Sequence, residues 1–152
     1  MSESITVLPA QAVDLPALSE LISSLFAVEP DFSINQARQI AGLRMQLEDP
    51  ARSVVLKAMD AGQVVGMLTV QLVASTAQGT WSGLMEDVVV ASSHRGRGVG
   101  KALVKAGEVW AVSKGATRMQ LLVDNKNTPA ISFYDQLDYE STRMICRRKY
   151  LS

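Results

Sequence analysis

A glycine-rich turn that follows a short apolar run constrains the fold of this sequence more than any other feature. Residues 88–90 are three consecutive valines, a pattern typical of a strand buried on both faces of a sheet. The next residues contain three alternate glycines, and a segment with helical spacing of apolar residues begins at Val99. The order strand, turn, helix predicts the first part of a βαβ unit, whose crossover is almost always right-handed.

The residues after this helix complete the predicted βαβ unit. Gly115 is expected to end the helix, and alternation over residues 119–123 predicts the second strand. Thr128 followed by Pro129 predicts the start of a short helix, because proline is favoured at the first helical position. Residues 139–150 are predicted to form a final pair of strands.

The first half of the chain predicts a strand at residues 5–8 and two amphipathic helices. Asp14 is expected to be the N-cap of the first helix. An S-x-x-Q capping box, formed by Ser33 and Gln36, is expected to open the second helix, which ends before Pro50.

Three further strands are expected between these helices and the glycine turn. Residues 53–59 and 63–74 predict a β-hairpin in which Gly62 supplies a positive φ, and residues 84–91 predict the next strand. Together the elements predict one domain of the α/β (α+β) class over residues 1–152. Its central sheet is expected to be mixed, mostly antiparallel and flanked by helices.

The composition excludes several classes of protein. The 152 residues are 47% apolar and 20% charged, with 15 basic and 15 acidic side chains, which argues against a disordered chain and a general nucleic-acid binder. A single cysteine, Cys146, leaves no disulfide framework or Cys-based zinc site, and no metal is predicted. The N-terminus shows no secretory signal, and the most apolar window, residues 64–74, is too short to span a membrane. A cytoplasmic protein without a membrane partner is expected.

The charges are unevenly distributed along the chain. Residues 1–87 contain 4 basic and 10 acidic side chains, a net charge of −6, whereas residues 88–152 contain 11 basic and 5 acidic side chains, a net charge of +6. Two solvated faces of different sign would explain the difference. An anionic ligand held by the second half, with a cationic ligand approached from the first half, would explain it as well.

The glycine turn has the features of an anion site. Glycines allow the backbone to approach a ligand closely, and a helix N-terminus offers free N–H groups at the positive end of its dipole. Arg95, Arg97 and Lys101 add positive charge. Two common phosphate loops do not fit, because a Walker A loop needs Ser or Thr after Lys101 and a dinucleotide loop from Gly96 needs glycine in place of that lysine.

The pattern R-x-x-G-x-G, formed by Arg95, Gly98 and Gly100, resembles the acyl-CoA pyrophosphate loop of the GCN5-related N-acetyltransferase (GNAT) family. A second stretch resembles that family's N-x-x-A-x-x-F-Y pattern and the glycine-aromatic pair after it. The residues concerned are Asn127, Ala130, Phe133, Tyr134 and Tyr139. Asp138 stands where the family usually has glycine, and aspartate tolerates the left-handed conformation better than most residues.

The resemblance implies a GNAT fold with a βαβ acyl-CoA-binding unit, and transfer of the acetyl group of acetyl-CoA to an amine of a small molecule or protein by direct attack. The implied cofactor-binding residues are Val88, Val89, Val90, Arg95, Gly96, Arg97, Gly98, Val99, Gly100, Lys101, Asn127 and Tyr134. Nucleic acid is not an expected partner, and a homodimer is one alternative for the oligomeric state. A non-catalytic acyl-CoA sensor, or an interaction domain that has kept only the fold, is the alternative to an enzyme.

The resemblance also implies catalytic roles. Tyr134 corresponds to the family's general acid, which protonates the leaving thiolate; core packing is its alternative role. Glu86 is the preferred base, because it shares strand alternation with Val88 and has a longer side chain than Asp87. A bulge in the strand would reverse this choice, so Asp87 and water remain alternatives. His94 is expected to be a turn residue.

Overall fold

A five-stranded sheet forms the centre of the protein. The computed structural model describes residues 4–27 and 33–152, and its strands are β1 (Thr6–Pro9), β2 (Ser53–Asp60), β3 (Gln63–Ser75), β4 (Thr80–Val90) and β5 (Arg118–Leu121). The strands are hydrogen-bonded in chain order, with β1 to β4 antiparallel and β5 parallel to β4. This mixed, mostly antiparallel sheet confirms the predicted fold class.

Four α-helices flank the sheet in the described part of the chain. They are α1 (Leu15–Phe26), α2 (Gln36–Leu47), α3 (Val99–Ser113) and α4 (Thr128–Gln136). The helix α3 connects β4 to the parallel strand β5, so these three elements are the predicted βαβ unit. None of the helices within residues 4–27 and 33–152 is long and apolar enough to cross a membrane.

Alternation along the central strands creates a core on each face of the sheet. Val55 of β2 and Met67 of β3 pack with α1 and α2. Leu56 and Leu68, the next residues along, pack with α3 on the other face. Because successive side chains point to opposite faces, burial on both sides explains the near-continuous apolar sequence of β2 and β3.

Three turns have the predicted backbone. Ala61 and Gly62 have φ values of 51° and 79° and form the two-residue loop between β2 and β3. Gly115, just past the end of α3, has a φ of 94°. Asp138 has a φ of 68°, so it does adopt the left-handed conformation in the turn after α4.

One of the two predicted helix caps is confirmed in position. Asp14 is the N-cap residue of α1, although its side chain makes no capping bond to the helix. It lies in one turn of 3₁₀ helix, where its carboxylate accepts hydrogen bonds from a backbone N–H three residues earlier and from Lys57 Nζ, both at 2.8 Å. The prediction of Ser33 as the second cap is wrong, because α2 begins later. Asn35 caps it instead, with its side-chain oxygen accepting from the Arg38 N–H at 3.1 Å.

The predicted final pair of strands is wrong. Residues 139–152 form no strand. A strand needs a hydrogen-bonded neighbour, and these residues pair with none of the described strands. The strand β5 pairs with β4 alone, so its outer edge is open within the described residues.

Candidate active site

A β-bulge interrupts β4 near its C-terminal end. The register places Val89 opposite Met67 but Glu86 opposite Thr69, so two residues of β4 face a single residue of β3. Asp87 lies in the bulge with a φ of 52°. A bulge of this kind shifts the later side chains of the strand to the opposite face.

The bulge removes the alternation on which the preference for Glu86 rested. Met85 and Val88 pack in the same core although they are three residues apart. Glu86 is exposed, whereas Asp87 is half-buried and lines a cavity beside α1 and α2. The structure therefore brings Asp87 into that cavity and leaves Glu86 outside its wall.

The strands β4 and β5 pair over only part of their length. Their last pair is Met85 with Leu121, and beyond it residues 86–90 have β3 on one side and no described strand on the other. The Val90 carbonyl accepts a hydrogen bond from Arg95 Nε at 3.2 Å, so its backbone faces this open side. The edge offers backbone groups to an extended ligand.

The glycine turn connects β4 to α3 as predicted. Gly96 and Gly98 have φ values of 76° and 83°, and Gly98 is the N-cap residue of α3. A β-carbon on either glycine would have no atom within 4 Å, so backbone conformation rather than crowding requires glycine there. The N-terminus of α3 is open on this side, and Arg97 and Lys101 on either side of it in sequence are exposed.

Gly100 has a packing role that the sequence interpretation missed. A β-carbon at this position would lie 3.2 Å from Phe133 Cζ. Glycine therefore allows α3 to approach the aromatic side chain of α4. The ring of Phe133 also packs edge-to-face on Tyr134, with 5.0 Å between ring centroids.

Tyr134 and Tyr139 differ in their hydrogen bonding. The hydroxyl of Tyr139 donates to Glu108 Oε2 at 2.7 Å. The hydroxyl of Tyr134 makes no hydrogen bond to another described residue. Burial raises the pKa of Tyr134 to about 12, so this hydroxyl stays protonated at neutral pH and is available as a donor.

Asn127 is the N-cap of α4. Its side-chain oxygen accepts a hydrogen bond from the Ala130 N–H at 3.2 Å. The first and fourth residues of the N-x-x-A pattern are therefore joined by a capping bond. The capping bond fixes the start of α4, the helix that carries Tyr134.

His94 links two turns of the sheet. Its Nε2 lies 2.7 Å from Asp60 Oδ2, and its Nδ1 lies 2.8 Å from Ser93 Oγ. The hydrogen bond to His94 contributes most to lowering the pKa of Asp60. The turn between β2 and β3 is thereby tied to the turn after β4. Within residues 4–27 and 33–152, no group of three or more His, Cys, Asp or Glu side chains could hold a metal ion.

A cavity of about 360 Å³ lies beside α1, α2 and the bulge. Its wall combines apolar and polar side chains, including Ile22, Phe26, Arg38, Gln39, Gln46 and Asp87. Burial raises the pKa of Asp87 to about 6, and the negative charge of Glu86 acts in the same direction. A carboxyl group with such a pKa is suited to exchange protons near neutral pH.

The residues that α2 contributes to the cavity were not found from the sequence. Gln39 is buried, and its side-chain oxygen accepts hydrogen bonds from the Ser19 and Ser23 hydroxyls at 2.8 and 3.2 Å. Its Nε2 has no hydrogen-bond partner. The available signal was that Gln39 lies four residues before Leu43, on the apolar face of the helix.

A comparison with profiles of known families decides the family of the chain. The profile of the acetyltransferase (GNAT) family matches residues 16–139, which include the bulge, the glycine turn and α4. The chain belongs to the acetyltransferase (GNAT) family. The resemblance first seen in two short patterns is thus confirmed over most of the chain.

Curated relatives of this GNAT chain include proteins named as acetyltransferases. Over 69 residues it is 38% identical to an uncharacterised N-acetyltransferase of Bacillus subtilis (strain 168), YobR, covering 42% of this chain and 28% of that protein. Over 117 residues it is 27% identical to a mycothiol acetyltransferase of Renibacterium salmoninarum, covering 77% of this chain and 35% of that protein. The chain therefore spans about a third of the length of these relatives.

Solved structures match nearly the whole GNAT chain. A transcriptional regulator from Bacillus halodurans C-125 has a TM-score of 0.85 at 23% identity, covering 96% of this chain and 99% of that chain. Glucosamine-6-phosphate N-acetyltransferase from Arabidopsis thaliana has a TM-score of 0.76 at 20% identity, covering 97% and 99%. At these identities the likeness establishes the fold.

Proposed function

We propose that this protein is an N-acetyltransferase that transfers the acetyl group of acetyl-CoA to an amine by direct attack. One observation carries the proposal: three features meet at the C-terminal end of β4. They are an unpaired strand edge, a glycine turn leading to a helix N-terminus, and a cavity containing the Asp87 carboxyl group. Each suits one part of the two substrates. The strand edge suits the thioester arm of acetyl-CoA, the glycine turn suits its pyrophosphate, and the cavity suits the amine.

The first two features fit acetyl-CoA. The amide groups of an extended pantetheine arm would bind the free edge of residues 86–90 as an added strand binds a sheet. The pyrophosphate would bind the N–H groups at the start of α3, with Arg95, Arg97 and Lys101 supplying positive charge.

The backbone N–H of Val90 is the proposed donor to the thioester carbonyl. The C=O of Val90 accepts a hydrogen bond from the Arg95 side chain, on the side of β4 that faces away from β3. Because the N–H and C=O of one strand residue point the same way, the Val90 N–H faces the open edge, and that of Val89 is turned toward β3. There it would stabilise the negative charge that develops on the carbonyl oxygen.

Asp87 is the proposed base. An alkylammonium group with a pKa of ~10.4 must lose a proton before it attacks. The Asp87 carboxylate, with its pKa raised to about 6 by burial, would accept that proton directly or through a water molecule. The exposure of Glu86 and its position outside the cavity wall favour Asp87 over it.

Tyr134 is the proposed acid. After the first proton has passed to Asp87, the amine nitrogen bonds to the thioester carbon, its second proton passes to solvent, and the C–S bond breaks. The departing thiolate takes the hydroxyl proton of Tyr134, which regains one from solvent. The products are the N-acetylated amine and free CoA. The unpartnered hydroxyl of Tyr134 supports this role.

The cavity beside Asp87 is the proposed acceptor site. It offers the Arg38 guanidinium, the unpaired Nε2 of Gln39 and the unpaired Oε1 of Gln46, next to apolar groups. An amine that also carries polar groups would satisfy these atoms. The net charge of −6 over residues 1–87 favours the approach of a cation.

The test measures CoA thiol release from acetyl-CoA with polyamines, aminoglycosides, amino acids and peptide N-termini as acceptors. Calorimetry with acetyl-CoA is run in parallel. Binding together with turnover of at least one amine would support the proposed enzyme. Binding without turnover over the whole panel would favour the acyl-CoA sensor, and absence of binding would refute both.

A further inference from the structure

The cavity beside the bulge has one charged residue of each sign in its described wall. Asp87 lies on the β4 side and Arg38 on the α2 side. The Arg38 guanidinium makes no ion pair or hydrogen bond to another described residue. A cavity whose carboxylate and guanidinium do not pair with each other is complementary to a ligand that carries both charges. A polycation, by contrast, would bring a second positive charge toward Arg38.

Gln39 adds a hydrogen-bond donor beside Arg38. Only 8% of Gln39 is exposed, and its side-chain oxygen accepts hydrogen bonds from the Ser19 and Ser23 hydroxyls. Its Nε2 has no partner, and an unpaired buried donor costs free energy until a ligand supplies an acceptor. Because the terminal torsion of glutamine is soft, a small rotation turns this amide toward a bound group. Arg38 and Gln39 together offer the N–H donors that bind a carboxylate.

Gly42 leaves open space in the same wall. It lies one turn after Arg38, on the face of α2 that lines the cavity. Glycine destabilises a helix interior relative to alanine. Packing does not require it here, because a β-carbon on Gly42 would have no atom within 4 Å and its φ is not positive. The space beside the two donors is therefore available to a ligand, and Ile22 and Leu43 make part of the cavity wall apolar.

We propose that the acceptor is a free amino acid with an apolar side chain, an inference that rests on the proposed acetyltransferase function. Its carboxylate binds Arg38 and the Nε2 of Gln39, and its amine faces Asp87. Its side chain occupies the space beside Gly42. The amine nitrogen takes the acetyl group, so the products are an N-acetylamino acid and CoA. The cavity volume of about 360 Å³ is near the lower end of the range for small-ligand sites, which suits a single amino acid.

The first test compares leucine, methionine and phenylalanine with their amides and with the corresponding amines that lack a carboxylate. CoA thiol release should give a kcat/KM at least about tenfold higher for one or more of the free amino acids, because a charge-assisted hydrogen bond is lost in the other molecules. Spermidine should be a poorer acceptor than these amino acids. A smaller preference, or the reverse preference, overturns the amino-acid class and leaves the proposed enzyme standing. Turnover of no amine at all refutes the proposed function, and this inference with it.

Arg38→Gln tests the carboxylate contact. It should raise the KM of the best amino acid about tenfold or more and remove its preference over the amide, while the Kd of acetyl-CoA stays unchanged. The control is Arg44→Gln, which removes the same charge from an exposed site on α2 outside the cavity and should keep the KM and the preference. A preference for the free acid that persists in Arg38→Gln overturns the assignment of Arg38.

Gly42→Leu tests the open space. The kcat/KM for phenylalanine should fall about tenfold or more, whereas that for alanine should fall much less. The Tm should not fall, because leucine is a good helix former. Ala41→Leu adds the same side chain at the neighbouring exposed position outside the cavity and should keep the wild-type values. Gly42→Ala repeats the comparison with a smaller change if the leucine variant is unstable. An unchanged preference between large and small amino acids in a folded Gly42 variant overturns the assignment of this space to the acceptor.

Discussion

The hydroxyl of Tyr139 donates a hydrogen bond to the Glu108 carboxylate at 2.7 Å, whereas the nearby Tyr134 keeps its hydroxyl free of described partners. The two rings lie 5.9 Å apart, at an edge-to-face angle of 71°. Tyr139 therefore fastens the turn after α4 to α3, while Tyr134 retains a donor. Variants of this pair separate catalysis from stability.

Tyr134→Phe is expected to lower kcat by about 10²-fold, toward the lower end of the usual contribution of a general acid, because a free thiolate is a tolerable leaving group. The affinity for acetyl-CoA should change little, since the ring is kept. Steady-state kinetics and calorimetry measure the two effects. Tyr139→Phe is the control: it should lose ~1 kcal/mol of unfolding free energy with its hydrogen bond and keep kcat. Intact kcat with lowered stability in Tyr134→Phe would assign that residue to packing.

The pH dependence of kcat/KM tests Asp87 as the base. The wild-type value should fall as the pH drops below about 6, because protonated Asp87 accepts no further proton. Asp87→Asn should lose this acidic limb and recover activity at high pH, where the amine deprotonates without help. Asparagine also suits the left-handed backbone of the bulge. Glu86→Gln is the matched control, and loss of the limb in that variant alone would make Glu86 the base.

The same carboxyl group makes stability depend on pH. Its folded pKa of about 6 lies above the ordinary value of 3.8, so the folded state binds the proton more tightly than the unfolded state. The stabilisation by that proton is complete below about pH 4 and is lost as the pH rises through 6. Asp87→Asn should therefore have a higher Tm than wild type at pH 7 and a similar Tm near pH 4. An equal difference at both pH values would exclude ionisation as its cause.

Lys101 tests the proposed pyrophosphate site. Lys101→Glu places a negative charge in the first turn of α3 and should weaken acetyl-CoA binding at least tenfold, or by ~1.4 kcal/mol or more. Lys105→Glu reverses another exposed charge one turn further along the same helix and should weaken binding much less. Calorimetry at low salt compares the two. Equal losses would indicate a general effect of net charge rather than a site at the helix N-terminus.

Elements whose signals are local were predicted well. The hairpin turn at Gly62 and the end of α3 at Gly115 depend on positive φ values, which the residue type itself permits. The glycine turn before α3 was predicted for the same reason, because Gly96 and Gly98 also have positive φ values. The cap of α2 was predicted less well, because Ser33 and Asn35 are both suitable caps and only the packing of the helix chooses between them.

The sequence by itself determined the order of strands and helices up to the end of α4 and the glycine turn, because periodicity and backbone preference act over a few residues. Tyr134 as the candidate acid rests on the family resemblance rather than on these local signals. Only the tertiary structure decided that Asp87 enters the cavity, since the bulge depends on the register between β4 and β3. The tertiary structure also decided that Gln39 lines the same cavity as Asp87, because α2 and β4 are brought together only by packing. Tertiary structure also decided that residues 139–152 form no strand. A strand is stable only beside a hydrogen-bonded neighbouring strand, and local sequence does not show whether such a neighbour is present.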